Sequence, residues 1–112
     1  MSNGSVINIG SESAFDTLLS RAKSANLPVV VDFTATWCGP CKVMSPVYDG
    51  LAKENPKTVF LKVDIDDQKE LASRYSIASV PTFMAFKDGA TTGTVKGANQ
   101  AGLKDLVKNV AA

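Results

Sequence analysis

The chain has 112 residues, 12 basic and 11 acidic side chains, a net charge of +1 and 45% hydrophobic residues. These values fit one globular domain with one core and lie outside the range of disordered chains. They argue against a dedicated nucleic-acid binder, which needs a basic face for phosphates, and no stretch reaches the roughly 20 apolar residues that span a bilayer.

Residues 1–5, Met-Ser-Asn-Gly-Ser, lack the basic start and apolar run of a secretory signal. Val110-Ala111-Ala112 is neither a prenylation site nor an ER-retention tag. No repeat, low-complexity tract or linker divides residues 1–112. The expectation is a single-domain, cytoplasmic monomer without membrane or nucleic-acid contacts.

Residues 6–9, Val-Ile-Asn-Ile, read as a short first strand. Ser11 is placed to cap a helix whose apolar positions Phe15, Leu18, Leu19 and Ala22 fall at i, i+3, i+4 and i+7. Residues 28–33 are β-branched and apolar without alternation until Asp32, the pattern of a strand buried on both faces. Trp37-Cys38-Gly39-Pro40-Cys41 follows, then a helical pattern with Val43, Val47 and Leu51 on one stripe beside Met44 and Tyr48. Pro46 falls inside that helix and is expected to kink it. Residues 58–65 read as a strand, 69–75 as a short helix, 82–86 as a strand, 87–89 as its turn and 91–96 as its hairpin partner. Asn99 is placed to cap a last helix carrying Leu103, Leu106, Val107 and Val110. The order β-α-β-α-β-α-β-β-α predicts an α/β fold: a mixed sheet covered by helices on both faces, parallel in its early crossovers and antiparallel in its final hairpin.

Two cysteines and no histidine leave little choice of chemistry. A bridge across three positions closes too small a loop to reinforce a fold, so it suits a bond that is made and broken. Two ligands are half of a tetrahedral zinc site, which only a dimer would complete. Asp64, Asp66 and Asp67 lack the glycine and final glutamate of a calcium loop and read as a solvated strand end. Cys38 stands where a buried strand gives way to a helix. The free N–H groups and dipole of a helix N-terminus favour a negative charge there, and the thiolate is the nucleophile of disulfide exchange. Cys41, one turn in, is expected to be the less exposed sulfur that resolves the mixed disulfide. Gly39 permits close backbone approach, and Pro40 suits a first helical turn.

The run from Val31 to Lys42 (Val-Asp-Phe-Thr-Ala-Thr-Trp-Cys-Gly-Pro-Cys-Lys) resembles the thioredoxin family, as do Pro46, Lys62-Val63-Asp64-Ile65-Asp66, Val80-Pro81-Thr82-Phe83, Lys87-Asp88-Gly89 and Gly97-Ala98. The likeness runs from about Val6 to Val110 and is closest to eukaryotic cytosolic members. It implies the thioredoxin fold, a central five-stranded mixed sheet flanked by four helices. It implies a redox-active Cys38–Cys41 disulfide, with no bound cofactor and no metal. It also implies that Asp32 is a buried acid behind the cysteines, that Lys62 is its partner, and that a cis peptide bond precedes Pro81. Burial disfavours the charged form of such an acid, so it would be a base near neutral pH and take the proton of Cys41 directly or through a water. Trp37, Gly39, Pro40, Ile65, Val80, Pro81, Gly97 and Ala98 would form the client groove, with Val80 offering backbone groups to an extended segment. Thr34 departs from the pattern, since many members carry an aromatic residue there.

The activity so implied is reduction of client-protein disulfides through Cys38 and Cys41, with an NADPH-dependent thioredoxin reductase restoring the dithiol. An isomerase of the secretory pathway usually has a histidine between its cysteines, which this chain lacks. The remaining alternative is a thioredoxin-like docking domain excised from a larger protein.

Overall fold

The computed structural model describes residues 4–112. Met1, Ser2 and Asn3 of the polar, non-signal start lie outside the described residues. The elements are β1 (Val6–Asn8), α1 (Glu12–Ser24), β2 (Val29–Thr34), α2 (Gly39–Glu54), β3 (Val59–Asp64), α3 (Lys69–Arg74), β4 (Thr82–Lys87), β5 (Ala90–Lys96) and α4 (Gln100–Ala111), in the expected order. The strands form one five-stranded sheet in the order β1-β3-β2-β4-β5. β3 pairs in parallel with β1 and β2, while β4 is antiparallel to β2 and β5. Four helices flank this mixed sheet, which is the thioredoxin fold.

Local signals set the boundaries. Ser11 Oγ accepts the Ala14 N–H at 3.0 Å and caps α1, and Asn99 Oδ1 accepts the Gly102 N–H at 2.8 Å and caps α4. The β4–β5 turn needs φ of +55° at Asp88 and +82° at Gly89. Such a pair suits the right-handed twist of a hairpin, and Asp-Gly tolerates it.

Strand alternation decides which side of the sheet each residue serves. Val29, Val31 and Phe33 of β2 pack with Phe15, Ala22 and Leu71 under α1 and α3. Val30 faces the other way and packs with Met44, Tyr48, Phe60, Phe83, Leu103 and Val107 under α2 and α4. The same period turns Asp32 toward α2. β3 repeats the pattern, so Lys62 shares that side with Phe60.

The buried stripe of α2 is Cys41, Met44, Tyr48, Leu51 and Ala52. Val43, expected on the apolar stripe, is instead 55% exposed. Its positions i+4 and i+8, Val47 and Leu51, drift toward the core because 3.6 residues per turn rotate a row spaced by four. α2 continues through Pro46, which lies on its exposed side. The missing N–H therefore affects the solvent-facing part of the helix.

Tyr48 ties α2 to the sheet. Its hydroxyl lies 2.7 Å from the Leu61 carbonyl oxygen and 2.9 Å from that of Val30, donating one proton between two acceptors. Complete burial pushes the phenol far above its ordinary range, so it remains a donor. Tyr48→Phe is expected to lower the unfolding free energy by about 1–2 kcal/mol. Urea melts check this, and an unchanged midpoint would mean the carbonyls are satisfied without the phenol.

Candidate active site

β2 ends at Thr34 and α2 begins at Gly39, so the intervening turn delivers both cysteines to one end of the sheet. Cys38 is the residue that caps α2, with extended backbone at φ −91°, ψ 113°. Its sulfur occupies the place a serine or aspartate oxygen normally takes, accepting the Cys41 N–H at 3.2 Å. Cys38 and Cys41 are joined as a disulfide, Cα atoms 5.3 Å apart.

The sulfurs differ in helix position and hardly in burial. Cys38 is 4% and Cys41 6% exposed, so Cys41 is not the less exposed residue the sequence led us to expect. Capping turns the Cys38 side chain back onto the helix end. There Ala35, Ile65 and Val80 pack around the pair.

The peptide bond between Val80 and Pro81 is cis. The Val80 carbonyl oxygen lies 3.6 Å from Cys38 Sγ. The Thr82 hydroxyl donates to the Ser79 carbonyl at 2.7 Å and anchors this loop. Gly97, at φ +79°, donates its N–H to the Pro81 carbonyl at 2.8 Å, so the last loop joins the same region. That left-handed conformation suits glycine. Trp37 is 67% exposed, and its indole N–H donates to Asp66 Oδ2 at 2.8 Å. Pro40 and Ala98 are exposed. Gly39 is exposed too, and a Cβ there would meet nothing within 4 Å. The chain's own packing therefore does not require that glycine.

Asp32 is 3% exposed, and its Oδ1 is buried without a hydrogen-bond partner among the described residues. Desolvation is the main cause that pushes its carboxyl up to about 7, against the pull of Lys62 and with a small push from Asp49. Lys62 stands beside Asp32 in the parallel β2–β3 register. Its ammonium forms no ion pair with that acid; among the described residues the ion pairs are those of Arg74 with Glu12 and Asp16. Instead Lys62 Nζ donates to Ser45 Oγ at 3.5 Å.

A cavity of about 570 Å³ opens beside these groups, lined by Thr34, Cys41, Ser45 and Lys62 among others. Thr34, the residue that departs from the family pattern, is part of its wall. Val80, Pro81 and Gly97 do not line it.

Sequence reasoning missed two groups. Ser45 carries a weak signal, since it lies four residues after Cys41 and hence on the same helix face. Asp66 carries none, being 29 residues from the indole it holds. The acidic run is more than a solvated strand end, since Asp64 Oδ1 also accepts the N–H groups of Asp66 and Asp67 at 2.8 and 3.4 Å. Among the described residues no three His, Cys, Asp or Glu side chains are grouped to hold a metal.

A disulfide at the first turn of a helix, beside a strand that carries a buried acid, defines a thiol–disulfide oxidoreductase. The comparisons with known proteins carry the assignment further. The family model described as Thioredoxin matches residues 6–111. The chain is 44% identical over 110 residues to "Thioredoxin H-type" of Oryza sativa subsp. indica, covering 97% of this chain and 90% of that protein. It is 46% identical over 110 residues to "Thioredoxin H-type" of Chlamydomonas reinhardtii, covering 97% of each. The crystal structure of thioredoxin NaTrxh from Nicotiana alata superposes with a TM-score of 0.91 at 32% identity, covering 96% of this chain and 93% of that one. The chain belongs to the thioredoxin family.

Proposed function

We propose that this protein is a general reductase of protein disulfides, with Cys38 as nucleophile, Cys41 as resolving thiol and Asp32 as base. The observation that carries the reading is the Cys38 sulfur accepting the Cys41 N–H at the head of α2. A helix terminus offers the same stabilisation to a thiolate, with the dipole added. The Cys38 thiolate attacks one sulfur of a client disulfide. The client S–S bond breaks, its other sulfur leaves as a thiolate that takes a proton from water, and a mixed disulfide forms. Cys41 gives its proton to Asp32 and attacks Cys38 Sγ. The second client thiolate leaves, and the Cys38–Cys41 bond takes its place. The client gains two electrons and the protein loses two.

The Val80 carbonyl near Cys38 supports docking of an extended client segment by backbone pairing. The exposed faces of Trp37, Gly39, Pro40 and Ala98, with Ile65, Pro81 and Gly97, complete the groove in this reading. Lys62 lowers the Asp32 carboxyl against desolvation, which supports its role as the partner of that acid.

The protein acts as a single domain over residues 1–112 and as a cytoplasmic monomer, without a bound cofactor or metal. An NADPH-dependent thioredoxin reductase restores its dithiol. No helix among the described residues is long and apolar enough to cross a membrane. The test is NADPH oxidation in a coupled assay with thioredoxin reductase and insulin. Catalytic consumption is expected. Consumption at the no-protein rate with several reductases would sink the carrier reading and favour a docking domain.

A further inference from the structure

Asp32 and Lys62 are neighbours in register and share the sheet face under α2, yet they do not pair. A buried carboxylate next to a flexible ammonium would ordinarily capture it, because the charges attract strongly where water is scarce. Two observations bear on this. The Lys62 ammonium lies 3.5 Å from the Ser45 hydroxyl on α2, a long hydrogen bond, and both residues line the same cavity. Asp32 Oδ1 is buried without a hydrogen-bond partner among the described residues. Ser45 occupies the turn after Cys41 on the same helix face, so it stands on the side of α2 that the resolving cysteine uses.

We propose that Ser45 is a positioning residue that holds the Lys62 ammonium away from Asp32 and so keeps that acid unpaired. The consequence for catalysis rests on the reading of Asp32 as the base for Cys41. An ion-paired Asp32 would be a weaker base, because the pair stabilises its charged form. The charged and titratable groups that interact with Asp32 are Lys62 from β3 and Asp49 and Tyr48 from α2; its neighbour on β4, Phe83, carries none. Asp49 is exposed and its effect on Asp32 is smaller than that of Lys62. Burial is the main influence on the acid, and Lys62 is the charged neighbour with the larger effect on it.

The test is a carboxyl-carbon NMR titration of Asp32 in the oxidised protein, with insulin-reduction rates measured across the same pH range. In Ser45→Ala the Asp32 midpoint is expected to fall from about 7 to about 6 or below, the effect of an opposite charge at close range. The acid limb of the rate profile should move down with it, and the plateau should drop. Ser45→Thr keeps the hydroxyl and should restore both. In an Asp32→Asn background, Ser45→Ala should leave the profile in place. A midpoint that is unchanged or higher in Ser45→Ala overturns the proposal without touching the base assignment, because the freed ammonium has then gone to water or to Asp49. A Ser45→Thr protein that behaves like Ser45→Ala also overturns it. A lowered midpoint with an unmoved rate profile upholds the role of Ser45 and removes Asp32 from the mechanism.

Discussion

Cys41→Ser is expected to accumulate client proteins as mixed disulfides on Cys38, whereas Cys38→Ser accumulates few and reduces no insulin above background. Of the two cysteines, Cys38 is the one that caps a helix. The Cys41 N–H that its sulfur accepts is a backbone group, so it survives replacement of the Cys41 side chain. The nucleophile therefore stays activated in Cys41→Ser while the thiol that would release the client is gone. In Cys38→Ser the remaining sulfur belongs to the third helical residue and is not the one that caps the N–H groups at the helix end. Burial does not predict this asymmetry, since both residues are almost fully enclosed. Pull-downs from a cell extract, resolved on non-reducing gels, read the adducts directly. More adducts with Cys38→Ser than with Cys41→Ser would exchange the two roles.

Asp32→Asn is expected to stabilise the fold and slow turnover, and the two effects share one cause. Desolvation raises the carboxyl from its ordinary 3.8 to about 7, outweighing the opposing charge of Lys62. Between those values the native state holds a proton that the unfolded state has released. Stability is therefore greatest below the unfolded value and is lost as pH rises toward 7, at about 1.4 kcal/mol per pH unit. The loss reaches about 4 kcal/mol above that window. Asparagine resembles the protonated acid in shape and carries no charge, so the variant lacks this loss. The two proteins should be close in stability near pH 4 and diverge upward from there, with Asn the more stable. Turnover by the variant should fall on the order of 100-fold where chemistry limits, because Cys41 loses its base. Urea melts between pH 4 and 8, with insulin-reduction rates alongside, test both halves. An Asn variant less stable at every pH would mean that the acid is compensated in the native protein, and Lys62 would be the group responsible.

Much of the fold was legible because its signals are local. Ser11 and Asn99 cap the helices they precede, and Asp88-Gly89 makes a turn whose positive φ angles few other pairs tolerate. The unbroken apolar run of residues 29–31 implied helices on both sides of β2, and its alternation sorted Val30 from Val29 and Val31. The α2 stripe was misread at Val43 because the helix period that rotates a row of side chains has to be referred to a partner surface, and the sequence does not state where that surface lies.

The sequence by itself determined the chemistry: two cysteines three apart at a strand–helix junction, no imidazole, and an acid set in an apolar strand. Each of these depends on residues within a few positions of one another, where backbone geometry fixes the relation. Only the tertiary structure decided the contacts between side chains far apart in the sequence. The Trp37 indole beside Cys38 meets Asp66 across 29 residues, and, on α3, Arg74 reaches Asp16 across 58. Lys62 lies beside Asp32 in the ladder, yet its ammonium goes to Ser45. Strand register brings two side chains to the same face, but a flexible lysine chain has many directions open to it. Which one it takes depends on the hydroxyl and the cavity that a helix from elsewhere in the chain sets over the sheet.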